Sequence, residues 1–270
     1  MSATNFLATI LEKRRQRVGR ERAERPLESL RDEAFSHRRN STAHALRSAL
    51  HAGDAPKIIA EFKRASPSKG SLNTNARPAE VARLYEAGGA AAVSVLTEEE
   101  HFRGSLSDLR DVRAAVSLPV LRKDFIVDEY QIYESAAAGA SALLLIVAAL
   151  DDETLARFLR LTEDELGMDA LVEVHTAEEM RRAQACSATL IGVNNRDLST
   201  FKVSLDVSIQ LAEDAPRDAL LVSESGLRNA RDIQLLHSHG YKGFLIGETL
   251  MCAEDPVMVL RDLISHSTAA

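Results

Sequence analysis

Apolar positions along this chain fall into two recurring patterns. Short runs rich in β-branched and aliphatic residues alternate with longer stretches of helical spacing, and the alternation persists over most of the length. The runs predicted as strands are KIIAEFK from Lys57, AAVSVLT from Ala91, PVLRKDF from Pro119, ALLLIVA from Ala142, ALVEVH from Ala170, TLIGVNN from Thr189, LLVSES from Leu220 and GFLIGE from Gly243. Between and after them the spacing predicts helices over 79–87, 106–116, 128–138, 151–166, 177–185, 205–213, 229–237 and 255–264. Asp151, Thr176 and Ser204 stand where caps belong, and Gly88, Gly139, Gly167 and Gly240 follow the predicted helix ends.

Eight strand–helix units of roughly 25–30 residues each match the size of a (β/α)8 TIM barrel. A doubly wound open sheet is the rival, but neither GxGxxG nor GxxxxGK[ST] follows the first strand. Residues 57–266 are then the barrel. Residues 1–56 form an N-terminal helical extension of one or two helices covering the lower end or the rim. No linker or low-complexity segment divides residues 1–270, so a single domain is expected.

Chemistry in such barrels sits at the C-terminal strand ends, so polar residues should gather at the end of each run. They do: Glu61 and Lys63, Thr97-Glu98, Lys123-Asp124, Glu173 and His175, Asn194-Asn195-Arg196, Glu224-Ser225-Gly226, and Gly247-Glu248. Only the fourth run ends without an ionisable group. Residues two apart share a strand face. Glu61 and Lys63 therefore lie opposite Ile58, Ala60 and Phe62, which are expected to pack outward against helices together with Val174. Buried charges are costly unless paired; an ion-pair network without catalysis is the plain alternative to an active site.

Lysines and carboxylates converging in one mouth suit acid–base chemistry, and a strand lysine can equally form an imine with a carbonyl substrate. The residues alone leave both open. LVSESGL and FLIGETL end the last two strands with small residues before helical pattern, where backbone N–H groups make an anion site; the alternative is that Gly226 and Gly247 serve only tight turns. The polar loop from Arg64 to Asn75 has the make-up of a lid or of a solvated loop. His175 near Glu173 is a weak metal candidate without ligand spacing.

Composition narrows the partners. A net charge of −7, from 33 basic and 40 acidic residues, carries no footprint for nucleic acid. The basic clusters Lys13-Arg14-Arg15 and Arg38-Arg39 read as solvated helix faces. No apolar run approaches the roughly 20 residues of a membrane helix. Cys186 and Cys252 lack CxxC spacing, which suits reduced thiols in a cytoplasm. The first residues are Arg-rich like an organelle presequence, but Phe6, Ile10, Leu11 and Glu12 favour a packed helix.

The segment IIAEFKRASPSKG from Ile58 resembles the signature of indole-3-glycerol-phosphate synthases. SVLTEEEHFRGS, LPVLRKDFIVDEYQI, ALVEVH, IGVNNRDL, LVSESGL and FLIGETLM extend the resemblance to about Ile264. The resemblance implies a (β/α)8 barrel of the monofunctional kind, acting in tryptophan biosynthesis. Such an enzyme converts a small phosphorylated carboxyphenylamino sugar to indole-3-glycerol phosphate, CO₂ and water. It implies no metal and no cofactor, and neither nucleic acid nor membrane as partner.

By the same resemblance Lys123, near Glu61, is the acid of ring closure, while Lys63 and Glu173 serve the later steps. Asn194 and Ser225 orient substrate hydroxyls and carboxylate. Glu224 positions Ser225 or a lysine. Ser66 and Arg196 are contacts for the anthranilate carboxylate. The phosphate is expected on backbone N–H groups near Gly226, Gly247 and Glu248, provided the Glu248 carboxylate points away. The competing readings are another phosphate-binding barrel, such as an isomerase or Schiff-base aldolase, and a non-catalytic sugar-phosphate sensor.

Overall fold

The computed structural model describes residues 4–197 and 200–267; Leu198, which ends IGVNNRDL, lies outside them. Every predicted strand forms. They are β1 (Lys57–Phe62), β2 (Ala92–Leu96), β3 (Val120–Lys123), β4 (Ala142–Ile146), β5 (Asp169–Val174), β6 (Leu190–Asn194), β7 (Leu220–Glu224) and β8 (Tyr241–Ile246). Each pairs in parallel with the next in sequence, and β8 returns to β1, closing a barrel.

Strand alternation splits the core into two layers. Ile58, Ala60, Phe62, Val93, Val95, Leu145, Val172, Val174 and Val193 face outward under the helices. Ile59, Ala92, Leu121, Leu144, Leu171, Val222 and Leu245 fill the interior. Each such side chain, fully buried, stabilises the fold by about 1.5–3 kcal/mol. Ile59, Leu121, Leu171 and Val222 come from the four odd strands, as alternating side-chain layers in barrels require. Two residues further along those strands stand Glu61, Lys123, Glu173 and Glu224, so the next odd-strand layer is entirely ionisable.

The first three helices make up the extension: α1 (Thr4–Glu24), α2 (Leu27–Arg38) and α3 (Ala45–His51), against the one or two expected. The barrel helices are α4 (Pro78–Ala87), α5 (Leu106–Ala115), α6 (Glu129–Ala137), α7 (Asp152–Arg160), α8 (Ala177–Ala185), α9 (Asp206–Asp214), α10 (Ala230–Ser238), α11 (Glu248–Met251) and α12 (Pro256–Ser267).

Asp151 and Thr176 cap α7 and α8 through side-chain oxygens. The cap position of α9 falls on Leu205 rather than Ser204, whose Oγ still accepts the Asp206 N–H at 3.3 Å while its hydroxyl donates to the Asp206 carboxylate at 2.8 Å. After α4 the left-handed residue is Gly89 (φ 90°), not Gly88. Gly88 admits Leu260 of α12 instead, whose Cδ1 would lie 2.7 Å from an added Cβ. The helix predicted to Leu166 stays regular only to Arg160 and finishes in a wider turn over Leu161–Glu165.

Extension helices close both ends of the barrel. α3 inserts Leu46 and Leu50 under the interior layer. The Arg47 backbone N–H donates to the buried Asp169 carboxylate at 3.0 Å, which anchors α3 to the start of β5. α2 packs on α6, and α1 crosses the upper rim with Ile10, Leu11 and Val18 buried.

The basic clusters are only in part the solvated faces predicted from sequence: Arg14 and Arg38 turn inward. Arg14 is 5% exposed and pairs with Asp124, just beyond β3, at 2.6 Å, and with Glu99 at 3.2 Å. Arg38 donates to the carbonyls of Leu166 and Gly167, each at 2.8 Å. Both find partners on segments more than a hundred residues away, which local charge patterning cannot reveal. Lys13, Arg15 and Arg39 behave as predicted and are exposed, Lys13 beside Glu100. Asp124 also meets Arg122 and Thr97. Burial opposes its charge, but Arg14 and Arg122 outweigh burial and hold the carboxyl below its usual range.

Removing one partner of a buried pair leaves an uncompensated charge. Arg14→Ala is expected to cost about 3 kcal/mol in urea unfolding, whereas Lys13→Ala should leave the midpoint unchanged.

Candidate active site

Four strand ends build the centre of the mouth. Lys123 closes β3 and points its Nζ between Glu173 Oε2 at 3.1 Å and Glu224 Oε2 at 3.2 Å. Beyond β1, Lys63 folds back so that its Nζ donates to Glu61 Oε1 at 2.5 Å. Register explains how two carboxylates share one amine. Gly192 on β6 lies beside Glu173, and its missing side chain leaves the niche that Glu224 fills. A Cβ at Gly192 would stand 2.2 Å from Glu224 Oε1.

The β7 turn forms the second wall. Ser225 (φ 66°) and Gly226 (φ 84°) are consecutive left-handed residues, a conformation a serine adopts at a cost of about 1–2 kcal/mol. Asn195 holds the turn: its Nδ2 donates to Ser223 Oγ at 2.9 Å and to the Glu224 and Ser225 carbonyls at 3.0 Å.

Gly247 has a different reason to be glycine. Its φ is −123°, so no left-handed turn demands it. An added Cβ would stand 2.3 Å from Glu61 Oε1 and 2.9 Å from Lys63 Nζ. Close backbone approach to the Glu61–Lys63 pair explains it, rather than the tight turn weighed from sequence. Glu248 opens α11, and its carboxylate lies 3.3 Å from Lys69 Nζ.

The loop after β1 pairs Ala65–Ser66 with Gly70–Ser71 in a small hairpin. Its base is held by Arg64, which grips Asp108 of α5 at 2.6 and 2.9 Å. Ser66 Oγ is buried without a hydrogen-bond partner. Arg196 donates its backbone N–H to Asn194 Oδ1 at 3.0 Å.

All the residues named from sequence line this one mouth: Glu61, Lys63, Ser66, Lys123, Glu173, Asn194, Arg196, Glu224, Ser225, Gly226, Gly247 and Glu248. Among the described residues no group of His, Cys, Asp and Glu has the arrangement of a metal site.

Comparison with known proteins gives this geometry a family. The model of the family described as indole-3-glycerol phosphate synthase matches residues 7–263. The chain belongs to that family. The synthase of Leifsonia xyli is 51% identical over 91% of this chain and 92% of its own length. That of Carboxydothermus hydrogenoformans is 47% identical, covering 96% and 100%. Syntrophobacter fumaroxidans has one 48% identical, covering 98% and 100%. Among solved structures, thiamine phosphate pyrophosphorylase from Pyrococcus furiosus aligns with a TM-score of 0.58 at 16% identity. It covers 79% of this chain and 96% of its own, a likeness of barrel fold alone.

Within this member of the indole-3-glycerol phosphate synthase family the shared layer separates its charges. Burial works against the Lys123 ammonium, but Glu173, Glu224 and Glu61 outweigh it and raise its pKa well above the ordinary value. Burial would also raise Glu173, yet Lys123 and His175 outweigh it and hold this carboxyl below its usual range. Burial pushes Glu224 up to about 8; Lys123 pulls the other way, and the like charges of Glu173 and Glu61 reinforce burial. Glu224 Oε1 is buried without a hydrogen-bond partner, which adds to the cost of ionising this carboxyl. Carboxylates whose environments drive them apart can divide acid and base roles.

What the sequence reading missed is the aromatic wall. Phe6 and Leu7 of α1 line the mouth beside Phe102, Phe125 and Phe201, with Phe6 packing edge-on against Phe201 at 5.4 Å. The signal was available: isolated phenylalanines among polar loop residues mark positions that something must cover. Asn195 and Gly192 were also passed over as site-builders, because their partners lie on β7.

A carboxyl with a raised folded pKa binds its proton more tightly in the native state, so its contribution to stability falls as pH climbs from the unfolded value through about 8. Glu224→Gln mimics the protonated form. Relative to the native protein, it is expected to gain about 1–3 kcal/mol between pH 5 and pH 9 in paired denaturant titrations.

Proposed function

We propose that this chain converts 1-(2-carboxyphenylamino)-1-deoxyribulose 5-phosphate to indole-3-glycerol phosphate, CO₂ and water. The observation that carries this reading is the Lys123 ammonium clamped by Glu173 and Glu224 within a mouth that also offers an anion-accepting turn. In ring closure, the ring carbon bearing the carboxylate attacks the C2′ carbonyl, and the developing alkoxide requires a proton. Lys123 stands at the centre of the layer and supplies it. Imine formation needs a neutral amine, and the carboxylates around Lys123 favour the ammonium. The setting therefore supports acid catalysis over a Schiff base.

Loss of CO₂ restores aromaticity, and dehydration then requires an acid and a base. Lys63, paired with Glu61, and the ionised Glu173 serve these steps, with Glu224 able to hold a proton near neutral pH. Asn194 and Ser225 orient the sugar hydroxyls and the substrate carboxylate. Arg196 and the unpartnered Ser66 hydroxyl receive the anthranilate carboxylate, for which a planar guanidinium is well shaped. The phosphate rests on backbone N–H groups near Gly226, Gly247 and Glu248. Phe6, Phe102, Phe125 and Phe201 offer faces and edges to the substrate's aromatic ring. The thiols of Cys186 and Cys252 are free, in keeping with a cytoplasmic setting.

One assay tests the reading: supply the substrate and follow indole fluorescence together with CO₂ release. The chain has no Trp, so product emission stands clear of the protein's own. Binding without product would instead support a non-catalytic sensor. Lys123→Ala should lower kcat by about 10³-fold or more while circular dichroism and melting show a folded barrel. Retention of most of kcat would remove Lys123 from the ring-closure step.

A further inference from the structure

Behind Glu173 lies a histidine to which the reaction above assigns no task. His175 shares a strand face with Glu173, and its Nε2 lies 3.4 Å from Glu173 Oε1. On its other side, Nδ1 lies 3.2 Å from Glu179 Oε2. The same Glu179 oxygen accepts the His175 backbone N–H at 2.7 Å. Glu179 is placed by α8, whose Thr176 cap accepts the Glu179 N–H. Ring and backbone of His175 are thus tied to one carboxylate anchored at a helix start.

We propose that His175, clamped by Glu179, is a positioning residue whose charge, at ion-pair distance from Glu173 Oε1, keeps that carboxylate ionised while Lys123 holds Oε2. The inference rests on the assignment of Glu173 to the reaction. Nε2 makes no hydrogen bond to Glu173, so the influence of His175 is electrostatic: a cation beside Oε1 complements the ammonium at Oε2.

Histidine suits the place because it faces acids from every side: Glu173 on β5, Glu179 on α8 and Glu224 on β7. A neutral ring has one N–H and one lone pair, so either tautomer would direct a lone pair at a carboxylate. Only the imidazolium avoids this: it bonds Glu179 through Nδ1 and sets a positive charge, without a hydrogen bond, beside Glu173. Burial works against that charge, but the hydrogen bond to Glu179 and the surrounding carboxylates outweigh it and raise the ring above its ordinary value. In return, the cation joins Lys123 in keeping Glu173 ionised. Removing it should raise the pKa of Glu173 and move the acid limb of activity to higher pH.

The test combines kinetics with a titration that needs no turnover. In His175→Ala, kcat should fall about tenfold with KM within about twofold, and the acid limb should rise by about one pH unit. His175→Gln keeps a polar side chain without the charge, so its acid limb should move as in His175→Ala. Glu179→Gln, which loosens the ring without deleting it, should move the limb in the same direction by less and serves if His175→Ala does not fold. Infrared titration of the Glu173 carboxylate, referenced to Glu173→Gln, should show the same upward shift in the free protein. An unmoved Glu173 titration, with native kcat in His175→Ala and Glu179→Gln, would overturn the proposal. An inactive wild-type protein whose Glu173 titration still moves would defeat the functional reading and leave the positioning intact.

Discussion

The Lys123 ammonium, shared between Glu173 and Glu224, is the constraint around which the barrel mouth is arranged. A buried cation costs several kcal/mol to desolvate and is tolerable only with opposite charge at contact distance. Alternating layers put the side chains of odd strands at one height, and here that height carries Glu61, Lys123, Glu173 and Glu224 above Ile59, Leu121, Leu171 and Val222. The aliphatic layer excludes water from below, which strengthens each pair and makes each pair obligatory.

Other features follow as accommodations to that layer. Gly192 surrenders a side chain so that Glu224 can reach Lys123, and Gly247 does so to let the backbone approach Glu61 and Lys63. Asn195 braces the turn that holds Ser225 in a left-handed conformation. The strained serine and the crowded glycines are local costs offset by an ion-pair network distributed over β1, β3, β5 and β7. A single barrel layer thereby sets both the charge state and the shape of the mouth.

The extension belongs to the same design. α3 seals the lower end with Leu46 and Leu50, and α1 bridges the upper rim through Arg14, Arg17 and Arg22. Because α1 also brings Phe6 and Leu7 to the mouth, the ion pairs at its rim act on the binding surface as well as on stability. Asp124 shows the link most directly: it is the neighbour of Lys123 in sequence, yet its side chain serves the α1 contact.

Much of this was legible in the chain. Local period and punctuation determined the eight strands, most helix limits and the inward face of Glu61 and Lys123, since strand alternation is a property of the backbone itself. Motifs at strand ends carried the family and its site residues. Distance decided the rest. That Arg14 is buried, that Gly192 is a niche, that His175 stands between two carboxylates and that burial pushes the Glu224 carboxyl up depends on groups brought together from separate strands and helices. Burial and Coulomb energies are set by those approaches, and no one-dimensional pattern contains them.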